Sequence, residues 1–262
     1  MASHEKKTMY NIRAVSNAID LLEQFRGDMD ELGLADLSRS LQLPKDNVFR
    51  LLATLQSHNY LEQNPDTGKY RLGFSTLALS NSYIRQLIPL EISRSVMESL
   101  VRECNETACM TSLRDFYIAN LGFVECNQPL RFMPRVGMQL PAYCTAGGKS
   151  QIAFLEEESL RKHVFECQFQ QLTPYTITDP QKLKSQLQEI AQQGYALQLE
   201  ELEMGVRGVA VPIRDYTSRV VGAISLLGPS SRFSDERIKG EIVPLATKGA
   251  KEISDKLGYL PS

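Results

Sequence analysis

Two stretches of this 262-residue sequence combine residue types and spacings that can do chemistry. The first is "LPKDNVFRLLATLQSHNYLEQNPDTGKYRLG", residues 43–73. Within it Val48, Leu51, Leu52 and Leu55 recur at i, i+3, i+4 and i+7, the apolar stripe of one helix. The face opposite that stripe carries Lys45, Asp46, Asn47, Phe49, Arg50 and Thr54. These side chains suit the major groove of double-stranded DNA. Asparagine pairs with adenine through two hydrogen bonds, arginine with guanine, and an apolar ring touches a thymine methyl group. Lys45 lies at the helix N-terminal end, where a phosphate backbone would pass, and Asp46 repels phosphate unless it caps the helix or accepts from cytosine. Further on, Lys69 and Arg71 alternate with Tyr70 and share one face of a strand, placed to grip phosphates or enter a minor groove. Arg39, on the preceding helix, completes this set of candidate DNA contacts.

The second stretch is "YCTAGGKS", residues 143–150. It nearly matches a phosphate loop, but Tyr143 stands where the first glycine must let the backbone wrap a triphosphate. No apolar strand leads directly into it, so nucleotide hydrolysis is not expected. Cys144 has no histidine nearby in sequence and reads as a packing thiol rather than a nucleophile. Ala146, Gly147 and Gly148 instead open a helix running through Lys149 to Leu155, whose free N–H groups attract a carboxylate or phosphate. The five cysteines are odd in number and form no C-x-x-C pair, so reduced, mostly buried thiols are expected. The three histidines lack metal-ligand spacing. No metal and no cofactor are therefore expected.

The positioning elements follow from periodicity. Ile12 to Phe25 reads as a helix, Leu34 to Leu41 as a second, and Pro44 suits the start of a third. Tyr60–Gln63 and Lys69–Leu72 read as strands joined by "NPDTG", with Gly68 suited to a positive φ. Helix, turn, helix and hairpin make a winged helix-turn-helix over residues 9–73. A connecting helix covers 74–88, stopped by Pro89, and a second domain covers 89–262. In that domain a helix from Leu90 precedes strands at Thr107–Arg114 and Tyr117–Glu125. Helices at Glu157–Cys167 and Gln181–Gln193 are followed by strands at Tyr195–Glu200, Gly208–Ile213 and Val220–Leu227. A helix over Asp235–Leu257 closes an α+β domain. Apolar residues make up 42% and charged residues 23%, enough for two cores. Net charge is −2, and the first 80 residues carry nine basic and ten acidic side chains. A DNA reading must therefore rest on where charges sit, not on their sum. No apolar run approaches the roughly 20 residues of a membrane helix, and the start lacks a signal-peptide core, so a cytoplasmic protein is expected.

The order "AVSNAIDLLEQF" then "LGLADLSRSLQLPKDNVFRLLATLQSHNYLEQNPDTGKYRLG" resembles the winged DNA-binding domain of the IclR family of bacterial transcription regulators. "LPAYCTAGGKSQIAFL", "QQGYALQLEELEMGVRGVAVPI" and "VVGAISLLGPSSRFSDERI" resemble the family's effector-binding domain, a GAF-like antiparallel sheet flanked by helices. The resemblance implies a homodimer or tetramer on a pseudo-palindromic promoter site, with DNA affinity changed by a small organic acid, and it gives the connecting helix part of the dimer contact. It places an effector pocket at Leu140, Ala146, Gly147, Gln198, Val206, Gly208 and Ser225, with Phe132 on the opposite wall. Departures are informative. Asp46-Asn47 replace the family's frequent Ser-Thr, implying a different operator. Gln198, Gly208 and Leu227 stand where some members have an acid, a cysteine and a second serine, so extra space at Gly208 and a bulkier, less polar ligand such as an aromatic acid are expected. Two rivals remain: an enzyme with a winged-helix appendage, and a winged module that binds protein. The enzyme would need a nucleophile–base pair, a metal cluster or a cofactor loop, and none is seen in the sequence.

Overall fold

The computed structural model describes residues 11–26, 31–84 and 88–260. Residues 9–10 of the expected first domain, part of its first loop and residues 85–87 of the connecting segment lie outside the described residues. The chain forms two compact units, residues 1–86 and 87–262.

In the first unit α1 (Arg13–Glu23) ends in a 3₁₀ turn (Gln24–Arg26) and is followed by α2 (Leu34–Leu41) and α3 (Lys45–Ser57). The turn between α2 and α3 is made by Gln42 in a left-handed conformation, φ 54°, with Leu43 N–H donating to the Ser38 carbonyl. Ser38 Oγ closes the same turn by donating to the Leu43 carbonyl at 2.7 Å. Val48 and Leu52 of the apolar stripe are fully buried, and Leu51 and Leu55 pack at the margin of the core. They meet Leu21 and Phe25 from α1 and its turn, Leu37 from α2, and Leu61 and Tyr70 from the hairpin. The wing is β1 (Leu61–Gln63) paired antiparallel with β2 (Tyr70–Leu72), Glu62 opposite Arg71. Helix α4 (Phe74–Ile84) follows.

The second unit begins with α5 (Ile88–Cys104). Pro89, expected to stop the connecting helix, lies within the described residues of α5, and residues 85–87 that precede it lie outside the described residues. A six-stranded antiparallel sheet has the order β5-β4-β3-β8-β7-β6, made of β3 (Thr107–Arg114), β4 (Tyr117–Val124), β5 (Gln139–Pro141), β6 (Ala196–Leu199), β7 (Val206–Arg214) and β8 (Val220–Pro229). Alternation along these strands builds two cores. Met110, Val209, Val211, Ile224 and Leu226 pack against α5 and the closing helix α10 (Val243–Lys256). The other face meets α6 (Ala146–Ile152), α7 (Glu157–Phe165) and α8 (Pro180–Gln193), with Leu183, Leu187 and Ile190 of α8 buried there. The closing segment is not one regular helix. Helix α9 (Asp235–Arg237) passes through a π-helical turn (Ile238–Ile242) into α10, beside Pro244, which cannot donate to the Gly240 carbonyl four residues back.

Candidate nucleic-acid interface and ligand cavity

With its stripe buried, α3 turns Lys45, Asp46, Asn47, Phe49, Arg50 and Thr54 to solvent. Phe49 is 55% exposed, so it does not serve the core. Asp46 lies in the first helical turn while Pro44 holds the N-cap position, so it supports the helix dipole rather than capping. A cleft of about 690 Å³ runs between α1 and α3 and joins Asn47, Arg50 and Thr54 to Arg13, Asn17 and Gln42. Arg13 and Asn17 were not among the candidate residues. The signal that marks them is their i, i+4 spacing on a polar face of α1.

The cations of this unit divide into two groups. Arg39 pairs with Asp36 one turn earlier on α2, and Arg71 pairs with its cross-strand neighbour Glu62 at 3.2 Å. Arg13, Lys45, Arg50 and Lys69 form no ion pair among the described residues. The wing turn is held by Asn64, whose Oδ1 accepts from Asp66 N at 2.9 Å, and by Glu31. The Glu31 carboxylate accepts from Asn64 Nδ2 at 2.7 Å and from Thr67 Oγ1 at 2.9 Å. These bonds, with Arg71 and Lys69 nearby, hold its pKa below the ordinary glutamate value.

In the second unit the sheet face under α6 encloses a cavity of about 20 Å³. Five of the expected effector residues lie on its wall: Phe132, Leu140, Gly147, Gln198 and Ser225. Ala146, Val206 and Gly208 do not. Leu227, compared above with a serine of other members, also lies on the wall; Thr111, Asn120, Thr145 and Leu202 complete much of the rest, and sequence reasoning had not placed these four there. Asn120 and Gln198 are 3% and 2% exposed, yet their carboxamides bond to no other described group. Ser225 sits opposite Cys109 across the β8–β3 pair. Thr107 Oγ1 donates to the Phe132 carbonyl at 2.9 Å and so fixes the phenylalanine's segment against the sheet.

The space expected at Gly208 is absent. Gly208 lies between Gln198 and Leu227 in register, and a Cβ there would fall 2.3 Å from Leu227 Cδ2. The leucine side chain fills the recess that glycine leaves, so the two departures cancel in volume and the cavity is not enlarged.

The "GGKS" stretch is fully buried and belongs to α6. Thr145 caps the helix, its Oγ1 accepting from Gly148 N at 3.2 Å. Gly148 is required by packing, since a Cβ would meet the Ala142 carbonyl oxygen at 2.1 Å. Lys149 is 0% exposed and donates to Glu201 and Gln186. Burial pushes its pKa down, against the opposing pull of Glu201. Burial also pushes the Cys109 and Cys144 thiols up to about 12, so neither is a ready nucleophile. Among the described residues no three His, Cys, Asp or Glu side chains gather as a metal-ligand set. No helix among the described residues is long and apolar enough to cross a membrane.

Comparison with known proteins agrees with this two-part layout. Residues 14–65 match the IclR helix-turn-helix domain, and residues 81–255 match the bacterial transcriptional regulator IclR C-terminal domain. The chain is 33% identical over 248 residues to the HTH-type transcriptional regulator XynR of Escherichia coli, covering 95% of this chain and 98% of that protein. The crystal structure of Thermotoga maritima IclR superposes with a TM-score of 0.78 at 26% identity, covering 95% of this chain and all of the other. An IclR homologue from Microbacterium hydrocarbonoxydans, complexed with 4-hydroxybenzoate, shares the fold with a TM-score of 0.82 at 22% identity, covering 94% and 99% of the two chains. The relatives are named as regulators and repressors rather than enzymes. With both family domains matched in order across nearly its whole length, the chain belongs to the IclR family of bacterial transcriptional regulators.

Proposed function

We propose that this regulator binds a pseudo-palindromic promoter site as a homodimer or tetramer in the cytoplasm and controls a catabolic operon in response to a small organic acid. The observation that carries the effector part is the convergence of the buried, unpartnered carboxamides of Asn120 and Gln198 on one cavity, beside Ser225. Buried polar groups without partners are costly, and a ligand rich in oxygen atoms would satisfy them. Among the described residues no charged side chain lines the wall. With Leu227 in the recess at Gly208, a short, oxygen-rich acid suits the site better than an aromatic one. Thermal-shift screening of short hydroxy and keto acids beside aromatic acids tests this, with gel shifts on the DNA upstream of the protein's own gene. Stabilisation by none of them removes the effector reading, and stabilisation by aromatic acids alone removes the size argument.

For DNA, Lys45, Asn47 and Arg50 on the open face of α3 support direct contact, with Lys69 on the wing. Asp46, Phe49 and Thr54 border the same surface, while Arg39 and Arg71 contribute after giving up their carboxylate partners. For assembly, α4 leaves Phe74, Leu77 and Leu79 exposed, and α1 leaves Val15 and Ile19 exposed. Apolar faces of this size in one unit favour a second copy as cover. Sedimentation of a Leu77→Glu variant, expected to shift toward monomer, tests that contact.

A further inference from the structure

Lys149, the lysine of the "GGKS" stretch, has no phosphate to bind, and its surroundings suggest another use. From α6 its Nζ donates to Glu201 Oε1 at 2.5 Å and to Gln186 Oε1 at 3.0 Å. Glu201 belongs to the segment between β6 and β7. Its Oε1 also accepts from Leu199 N at 3.4 Å, while its Oε2 is buried with no hydrogen-bond partner among the described residues. Both partners of this ion pair carry cavity wall. Helix α6 brings Gly147 and its cap Thr145, and the Glu201 segment brings Leu202, directly after Glu201 and four residues after Gln198. The pair therefore ties one wall of the cavity to another.

A volume of about 20 Å³ holds roughly one water molecule, less than any organic acid, so a wall must move to admit one. The sheet residues are held in the strand ladder, and α6 is buried along its length. The segment 200–205 has no strand pairing, exposes Glu203 and Met204, and holds Glu200 at φ 64°, a left-handed conformation unfavourable outside glycine. Its two ends are tied by backbone bonds, Glu200 N to the Val206 carbonyl at 3.1 Å and Ser230 N to the Gly205 carbonyl at 2.7 Å, whereas its middle is held from outside by side-chain hydroxyls: Thr173 Oγ1 donates to the Glu200 carbonyl at 2.7 Å and Thr176 Oγ1 to the Glu201 carbonyl at 2.6 Å. A buried ion pair suits a reversible closure. Its attraction in the dry state is largely offset by the hydration both charges recover when it opens, so opening has a small net cost.

We propose that Lys149 and Glu201 form a latch that holds the segment 200–205 closed over the effector cavity, a positioning pair that sets how readily the cavity opens. This rests on reading the cavity as the effector site. Cys109 is a native reporter, because it lies on the cavity wall and is 1% exposed. Iodoacetamide labelling of the full-length protein, followed by peptide mass spectrometry, measures its access. Glu201→Gln is expected to raise the Cys109 labelling rate at least tenfold while Cys104, buried in the core on the other sheet face, keeps its rate. Thr176→Val, which removes the hydroxyl anchor on Glu201 together with the bonds that hydroxyl accepts from Leu172 N and Thr173 N, is expected to raise it severalfold and serves if Glu201→Gln does not fold. Unchanged Cys109 labelling, or a rise shared equally by Cys104, would overturn the latch. A rise confined to Cys109 that no organic acid suppresses would support the latch and remove the effector reading.

Discussion

Replacing Gly208 by alanine perturbs one contact whose geometry can be worked through. The new Cβ would lie 2.3 Å from Leu227 Cδ2 and 3.2 Å from the Leu226 carbonyl oxygen. Carbon atoms pack favourably at about 3.5–4.0 Å, so the leucine must retreat by more than about 1 Å. The space open to it is the cavity of about 20 Å³, so the substitution should fill the proposed effector cavity as it strains the sheet. Overpacking of this kind costs about 1–3 kcal/mol. For a domain of this size each kcal/mol lowers Tm by about 2–4 °C. Leu227→Ala alone removes roughly three methylene equivalents at ~0.8 kcal/mol each, about 2.4 kcal/mol before any cavity term. Combined, each change relieves the other, because alanine at 227 removes the atoms that alanine at 208 would strike. The double variant is therefore expected to be more stable than the sum of the singles by at least ~1 kcal/mol, a coupling typical of residues in contact. It should also regain the ligand response that Gly208→Ala loses. The chain has no tryptophan, so calorimetry is the natural assay. Additivity within ~0.5 kcal/mol, or a Gly208→Ala protein as stable as the wild type, would refute the packing argument.

The remaining expectations concern the DNA surface, the wing and the buried pair. Arg50→Ala should weaken the specific complex by about 1–3 kcal/mol, whereas Lys69→Ala should weaken all sequences alike and reduce the log–log salt slope by about 0.9. Arg71→Ala should cost less than Lys69→Ala, because Arg71 is already paired with Glu62; anisotropy titrations at several salt concentrations rank the three. Glu31 holds the wing turn with a carboxyl below the ordinary value of 4.5. A lowered pKa means that the folded state binds the proton less readily than the unfolded one. The contribution of Glu31 is thus full above the ordinary value and is lost as pH falls through the lowered one. The Asn64 and Thr67 amide resonances should move as pH falls below the ordinary glutamate value, and constant shifts would contradict the bond set. Lys149→Ala leaves Glu201 charged and buried, so chemical denaturation should show a loss of about 3–5 kcal/mol, and a loss under ~1 kcal/mol would mean the pair is hydrated.

What was legible in the sequence was what is encoded locally. The spacing of Val48, Leu51, Leu52 and Leu55 determines which way α3 faces, and the opposite face follows without knowledge of any other element. Tyr70 between Lys69 and Arg71 does the same for the wing. The three-residue strand β5 was missed because it is too short to show a period of two. The cavity was legible in part. Asn120, Thr111 and Leu202 come from different elements, and no spacing along the chain links them to Gln198 or Ser225. Gly208 was assigned space because its missing side chain was considered without its cross-strand neighbour. Leu227, 19 residues later and opposite in register, uses that space.

The two binding surfaces differ in their electrostatics for a common reason. Arg13, Lys45, Arg50 and Lys69 can stay unpaired because they remain in water until a phosphate replaces it. Inside the second unit an unpaired charge would be prohibitive, and the buried charges seen there, Lys149 with Glu201 and Glu106 with Arg232 and Arg237, are paired. On the effector reading proposed above, the cavity would meet its ligand with neutral carboxamides and hydroxyls. Neutral hydrogen bonds each contribute about 0.5–1.5 kcal/mol net, and bonds to a charged ligand about 1.5–3 kcal/mol. A handful of them, less the cost of moving a wall, gives affinities in the micromolar to millimolar range rather than the nanomolar. A cavity built this way releases its ligand when the concentration falls, which is what a reversible regulator requires and what a buried cation on the wall would prevent.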